Sequence, residues 1–177
     1  MLQTTINKSV LKIDKGDLTT LDIEAIVFYA EPNLKLGAGF GNAIAVRGGS
    51  SIQEELNKLG SLSTGEAVIS RAGDLKSKFI IHAVGPRFQE QDLEEKLYKT
   101  MQSVLNLAEN KRIKRIAFPP MGTGFYGIPL NVSANVMLSA INNHLSGNSV
   151  IEEVLICVMD KREYSVFEKN WQVKEKV

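Results

Sequence analysis

Two apolar runs, each leading into a glycine-rich loop, constrain this chain more than any other feature of its sequence. Ala25-Ile26-Val27-Phe28-Tyr29-Ala30 has no polar face, the pattern of a strand buried on both sides. It runs towards Leu36-Gly37-Ala38-Gly39-Phe40-Gly41-Asn42-Ala43-Ile44, a glycine-rich loop turning into a helix. Arg115–Phe118 repeats the arrangement, passing through Pro119-Pro120 into Met121-Gly122-Thr123-Gly124-Phe125-Tyr126-Gly127. Further strands are predicted at Ser9–Asp14, Glu66–Arg71, Lys78–Val84 and Val154–Met159. Helices are predicted over about 52–59, 91–110 and 161–170, and from Pro129, where Leu130, Ala134, Met137, Leu138, Ile141 and Leu145 form one stripe. Strands alternating with helices predict an α/β fold with helices on both faces of a sheet that is largely parallel in its middle. Ligands of such sheets gather where the carboxyl ends of the strands give way to loops, which is where both glycine-rich segments fall.

Composition removes several alternatives. A length of 177 residues, 44% hydrophobic and 23% charged, fits one domain over residues 1–177. Twenty-one Lys and Arg against 20 Asp and Glu leave +1, which argues against nucleic acid or an anionic membrane as partner. The one basic cluster, Lys111-Arg112-Ile113-Lys114-Arg115, reads as cations closing a helix. Apolar stretches such as Val154–Met159 fall far short of the roughly 20 residues a membrane-spanning helix needs. Met1-Leu2-Gln3-Thr4 begins no recognisable export signal, so a cytoplasmic location is expected. The lone Cys157 forms no internal disulfide and reads as a small buried hydrophobe. His82 reads as a satisfied core histidine and His144 as a cation offsetting a helix end. No set of His, Cys, Asp or Glu has metal-ligand spacing, so neither metal nor cofactor is expected.

Glycine lets a backbone approach a ligand and adopt positive φ, and successive N–H groups at a helix N-terminus cradle phosphate oxygens. Segments 37–43 and 122–127 both suit this task, and a pair of such loops embraces a pyrophosphate from two sides. Neither is a P-loop, for want of Gly-Lys-Ser or Gly-Lys-Thr, and Gly37, Gly39 and Gly41 give an incomplete dinucleotide fingerprint.

With Lys15-Gly16-Asp17-Leu18-Thr19, Leu34 through Ile44, Ile80-Ile81-His82-Ala83-Val84-Gly85-Pro86 and Ala117 through Pro129 in this order and spacing, the chain resembles a macro domain over about residues 8–168. The resemblance implies a three-layer α/β/α fold with a central mixed sheet, and a pocket for ADP-ribose or a derivative, free or carried on a modified protein. It implies that Asp17 accepts from the adenine amino group and that Leu18 offers a backbone contact beside it. Gly37, Ala38, Gly39 and Phe40 match the first diphosphate loop, and Gly122, Thr123, Gly124, Phe125, Tyr126 and Gly127 the second. Tyr126 matches an aromatic near the distal ribose. Met159 stands where many relatives carry an adenine-stacking aromatic, with Tyr164 and Phe167 as nearby alternatives.

The sequence also departs from the family pattern. Hydrolytic branches usually carry Asn-Ala-Ala-Asn at the end of the strand that here runs through Ala25–Ala30, where this chain has Phe28-Tyr29-Ala30-Glu31. Those of the mono-ADP-ribosyl type carry an aspartate in the first loop, where this chain has Gly41, followed by Asn42. The expectation is a binding module without the usual hydrolytic residues. The alternative is a divergent hydrolase of ADP-ribose esters, phosphates or protein conjugates that uses other groups, such as Glu31 as a general base.

Overall fold

The computed structural model describes the backbone of residues 1–175 and the side chains of residues 1–172. In chain order the strands are β1 (Leu2–Ile6), β2 (Ser9–Lys15), β3 (Ala25–Tyr29), β4 (Ala67–Arg71), β5 (Phe79–Ala83), β6 (Arg115–Phe118) and β7 (Glu153–Val158). The helices are α1 (Phe40–Gly48), α2 (Ser51–Asn57), α3 (Leu93–Asn110), α4 (Leu130–Leu145) and α5 (Lys161–Glu175). All seven strands join one sheet in the order β1-β2-β7-β6-β3-β5-β4. Strands β2 through β5 in that order run parallel, while β1 and β4 are antiparallel edges.

The apolar pattern of β3 follows from its position. Parallel neighbours flank it, Ala25 opposing both Phe79 of β5 and Ile116 of β6. Ala25, Val27 and Tyr29 face one layer, where they meet Leu97, Met101 and Val104 of α3 and Ile141 of α4. Ile26 and Phe28 face the other, with Ile44 of α1 and Ile52 and Leu56 of α2. Helix α5 closes the first layer with the buried Phe167 and Trp171. Each large apolar side chain fully buried this way contributes about 1.5–3 kcal/mol, so both layers are needed to hold the sheet. The result is the three-layer α/β/α arrangement with a mixed sheet.

Strand β1 is absent from the expectation. Its residues Leu2-Gln3-Thr4-Thr5-Ile6 alternate between half-buried and exposed, because an edge strand buries one face only. A two-residue turn joins it to β2, Ile6 opposing Ser9, and Asn7 takes the left-handed conformation (φ 56°) that such turns require. The basic cluster is also resolved. Lys111 follows the end of α3, whereas Lys114 and Arg115 form ion pairs with Glu152 and Glu153. Among the described residues no helix is long and apolar enough to cross a membrane.

Candidate ligand pocket

The carboxyl ends of β2, β7, β6 and β3 lie side by side, and the segments leaving them enclose a pocket of about 970 Å³. Gly16, Asp17 and Leu18 follow β2, and Met159 and Glu163 follow β7. The segment after β6 supplies Pro119, Pro120, Gly122, Thr123, Gly124, Phe125 and Tyr126. Phe28, Tyr29 and Glu31 come from the end of β3, with Leu36, Ala38, Gly39, Phe40 and Gly41 from the loop that opens α1. Of the residues matched to the two diphosphate loops, Gly37 and Gly127 stand outside this lining, as do the stacking alternatives Tyr164 and Phe167. Both glycines take positive φ, 67° and 73°, and so shape the loops from behind.

Asp17 caps the 3-10 turn Leu18–Thr20. Its Oδ1 accepts from the Thr19 backbone N–H at 3.0 Å and from the Thr19 hydroxyl at 2.6 Å. Its Oδ2 accepts from the Arg47 guanidinium, which also reaches the Thr19 hydroxyl. Arg47, with Thr19, holds the Asp17 carboxyl below its ordinary range. Asp17 thus caps this turn, and the same side chain lines the pocket.

The first loop is shaped by lack of space. A Cβ on Gly41 would stand 1.6 Å from the Leu36 carbonyl oxygen and 3.0 Å from Phe28 Cζ, so position 41 admits no side chain. Gly39, at φ 61° and ψ −126°, turns the chain into α1, whose first residues Phe40 and Gly41 line the pocket. The second loop is folded by Gly122, at φ 74°, where the Gly122 carbonyl accepts from the Ile128 N–H at 2.9 Å. The Thr123 hydroxyl donates to the Pro120 carbonyl at 3.2 Å.

Aromatic rings wall the end away from Asp17. Tyr29 and Tyr126 pack with ring centroids 4.8 Å apart, and the Tyr29 hydroxyl donates to the Pro86 carbonyl. Burial holds both hydroxyls protonated above their ordinary range. Arg87 lies over the Tyr126 ring at 5.6 Å, and Phe125 meets Tyr126 edge-on at 5.9 Å while remaining 87% exposed. Glu31 lies at this end, its Oε1 3.8 Å from where a Cβ on Gly37 would stand.

Several lining residues were not singled out from sequence: Gly16, Arg47, Pro119, Pro120, Cys157 and Glu163. The rule that ligands gather at strand ends could have found all of these but Arg47, which sits in the last turn of α1. Cys157 is buried as expected but borders the pocket; burial, then the nearby Asp17, pushes its thiol up to about 11. Met159 is 81% exposed, its N–H donating to Glu163 Oε2 at 2.7 Å. Phe167 is core, and Tyr164 packs against the same core cluster. His82 is buried, but the expectation of a satisfied histidine needs correction. One ring nitrogen pairs with the Ser70 hydroxyl at 2.8 Å, and Nδ1 has no hydrogen-bond partner among the described residues. His144, in the last turn of α4, pairs with Glu109 at 2.9 Å. Among the described residues no three His, Cys, Asp or Glu side chains are grouped to hold a metal ion.

The family model of the macro domain matches residues 29–137. A macro domain-containing protein of Caldanaerobacter subterraneus subsp. tengcongensis is 37% identical over 175 residues, covering 96% of this chain and 99% of that one. The Oceanobacillus iheyensis macrodomain with ADP superposes with a TM-score of 0.94 at 30% identity, covering 99% of this chain and 97% of that one. The Trypanosoma brucei macrodomain in complex with ADP-ribose gives a TM-score of 0.84 at 26% identity, over 90% of this chain and 68% of that one.

Proposed function

The chain belongs to the macro domain family, and from that premise we propose that its pocket binds ADP-ribose or a close derivative, as a binding module rather than a hydrolase. The observation that carries this reading is the meeting of both glycine-rich loops over one pocket, with Asp17 at one end and Tyr126 and Glu31 at the other. In this reading Asp17 takes the adenine amino group. Its carboxylate has about four lone-pair positions, and the three donors from Thr19 and Arg47 leave one for a ligand N–H. Leu18 and Met159 border the adenine. The diphosphate lies between the two loops, and the distal ribose reaches Tyr126 and Glu31. The whole chain, residues 1–177, serves as one such domain, acting in the cytoplasm on free ADP-ribose or on a protein that carries it.

The space at position 41 supports binding over hydrolysis. A family aspartate there would need a side chain where the Leu36 carbonyl oxygen stands. Calorimetric titration with ADP-ribose tests the reading; absence of heat and of any thermal shift at excess ligand refutes it. The second reading, hydrolysis, is favoured by one observation: Glu31 lines the pocket at the distal end. Turnover of O-acetyl-ADP-ribose, ADP-ribose 1″-phosphate or modified protein, lost in Glu31→Gln, would put it in place of the first.

A further inference from the structure

The pocket lining carries three carboxylates, Asp17, Glu31 and Glu163, against one guanidinium, Arg47. Two of the carboxylates are already engaged. Asp17 is paired with Arg47, and Glu163 accepts the Met159 N–H. Glu31 has no ion-pair partner among the described residues. Its neighbour in sequence space, Lys35, does not reach it within ion-pair distance, so the charge stays open towards the pocket.

The surroundings of Glu31 have a definite sign. After burial, Glu31 is the larger electrostatic influence on the Tyr126 hydroxyl, ahead of the opposing Arg87. Arg87 is outside the lining and lies over the Tyr126 ring, where it also acts on Glu90. Phe125 adds a second feature at the same end, an aromatic side chain 87% exposed and set perpendicular to the Tyr126 ring.

We propose that the distal end of the pocket is built for ADP-ribose joined to a cationic guanidinium, that is, for a protein or peptide whose arginine side chain carries ADP-ribose. The proposal rests on the ADP-ribose reading above and names its conjugate class. A guanidinium presents a planar fork of N–H donors that matches one carboxylate bidentately. The same plane stacks on an aromatic face, which Phe125 offers to solvent. A phosphate on the distal ribose would meet Glu31 as a like charge, and a serine-linked ribose would leave Glu31 without a cation. A guanidinium at this point also offsets part of the repulsion between the ligand diphosphate and a lining in which carboxylates outnumber cations.

The test uses the full chain and two peptides of identical flanking sequence, one carrying ADP-ribose on arginine and the other on serine, with free ADP-ribose as reference. Calorimetry should find the arginine conjugate about tenfold tighter than the serine conjugate, the scale of one charge-assisted hydrogen bond. Glu31→Gln should bring the two conjugates to within about threefold, and Phe125→Ala should weaken the arginine conjugate more than the serine one. Melting curves confirm that each variant is folded. Equal affinity of the wild-type chain for the two peptides overturns the proposal, as does a preference that survives Glu31→Gln. If the wild-type chain binds neither peptide nor free ADP-ribose, the ADP-ribose reading falls first. Binding of free ADP-ribose with no preference between conjugates removes the conjugate class alone.

Discussion

Replacing Gly41 by alanine sets two effects of opposite sign against each other. Position 41 is the second residue of α1, and alanine is favoured over glycine inside a helix by about 0.8–1 kcal/mol. Propensity alone therefore predicts a more stable protein. Packing predicts the reverse, because the new Cβ would stand 1.6 Å from the Leu36 carbonyl oxygen and 2.6 Å from its carbon. Backbone atoms cannot rotate aside as a side chain does, so the loop from Leu36 to Phe40 must move as a unit. Overpacking of this kind costs about 1–3 kcal/mol and occasionally more, and a clash with backbone belongs at the upper end. The net expectation is destabilisation by about 2 kcal/mol, or a Tm lower by roughly 4–8 °C for a chain of this size. ADP-ribose affinity should fall with it, since the displaced segment is the first loop. Gly124→Ala is the control: nothing lies within 4 Å of its added Cβ, its φ is not in the left-handed region, and its Tm should hold. Thermal melts with and without ADP-ribose decide the matter. A Gly41→Ala protein that melts at or above the wild-type temperature would mean that the Leu36 carbonyl does not close this site.

Three further outcomes follow from the pocket and the core. Asp17→Ala should weaken ADP-ribose binding by about 1–3 kcal/mol in a calorimetric titration, the value of a charge-assisted hydrogen bond, and unchanged affinity would remove Asp17 from the adenine site. Burial lowers the His82 pKa to about 4 from an ordinary 6.5, so the unfolded chain binds the extra proton between those values. Stability contributed by neutral His82 is complete above about pH 6.5 and declines as the pH falls towards 4, by about 3 kcal/mol in all. His82→Leu should flatten that part of the urea-denaturation profile relative to wild type, and parallel profiles would refute the assignment. ADP-ribose affinity should drop less than about threefold between roughly 50 and 500 mM salt, because the only lining cation among the described residues is tied to Asp17; a much steeper loss would point to cationic side chains on the diphosphate.

The sheet was legible because its central strands are apolar on both faces, and Arg115–Phe118 matched to the residue. Strand β1 was hidden because edge strands bury one face and its turn uses Asn7-Lys8, without the glycine that marks most such hairpins. Local glycine patterns exposed both loops, since positive φ and close backbone approach leave a compositional trace. Arg47 left none. It stands 30 positions from Asp17, and no periodicity relates the last turn of α1 to the turn after β2. The closed space at Gly41 was equally invisible, because it depends on where the Leu36 carbonyl points and not on which residues are adjacent.

The charge of the pocket makes sense only when side chains and backbone are counted separately. A dianionic diphosphate in a lining of three carboxylates and one guanidinium would be expelled if side chains were the whole field. In the proposed binding mode the opposing term comes from the backbone. The N-terminus of α1 carries about half a positive charge, and its first N–H groups have no partner within the helix. Such dipoles act over the first turn only, so the phosphate must come within hydrogen-bond distance of the chain. In the proposed binding mode a side chain at the loop glycines would hinder that approach, which accounts for loops built on glycine and not on lysine. It also fixes the division of labour among the carboxylates. Asp17, neutralised by Arg47, can stand in the pocket without repelling the diphosphate. Glu31 has no such partner, so a ligand that fills the whole pocket is held best when it brings the missing cation itself.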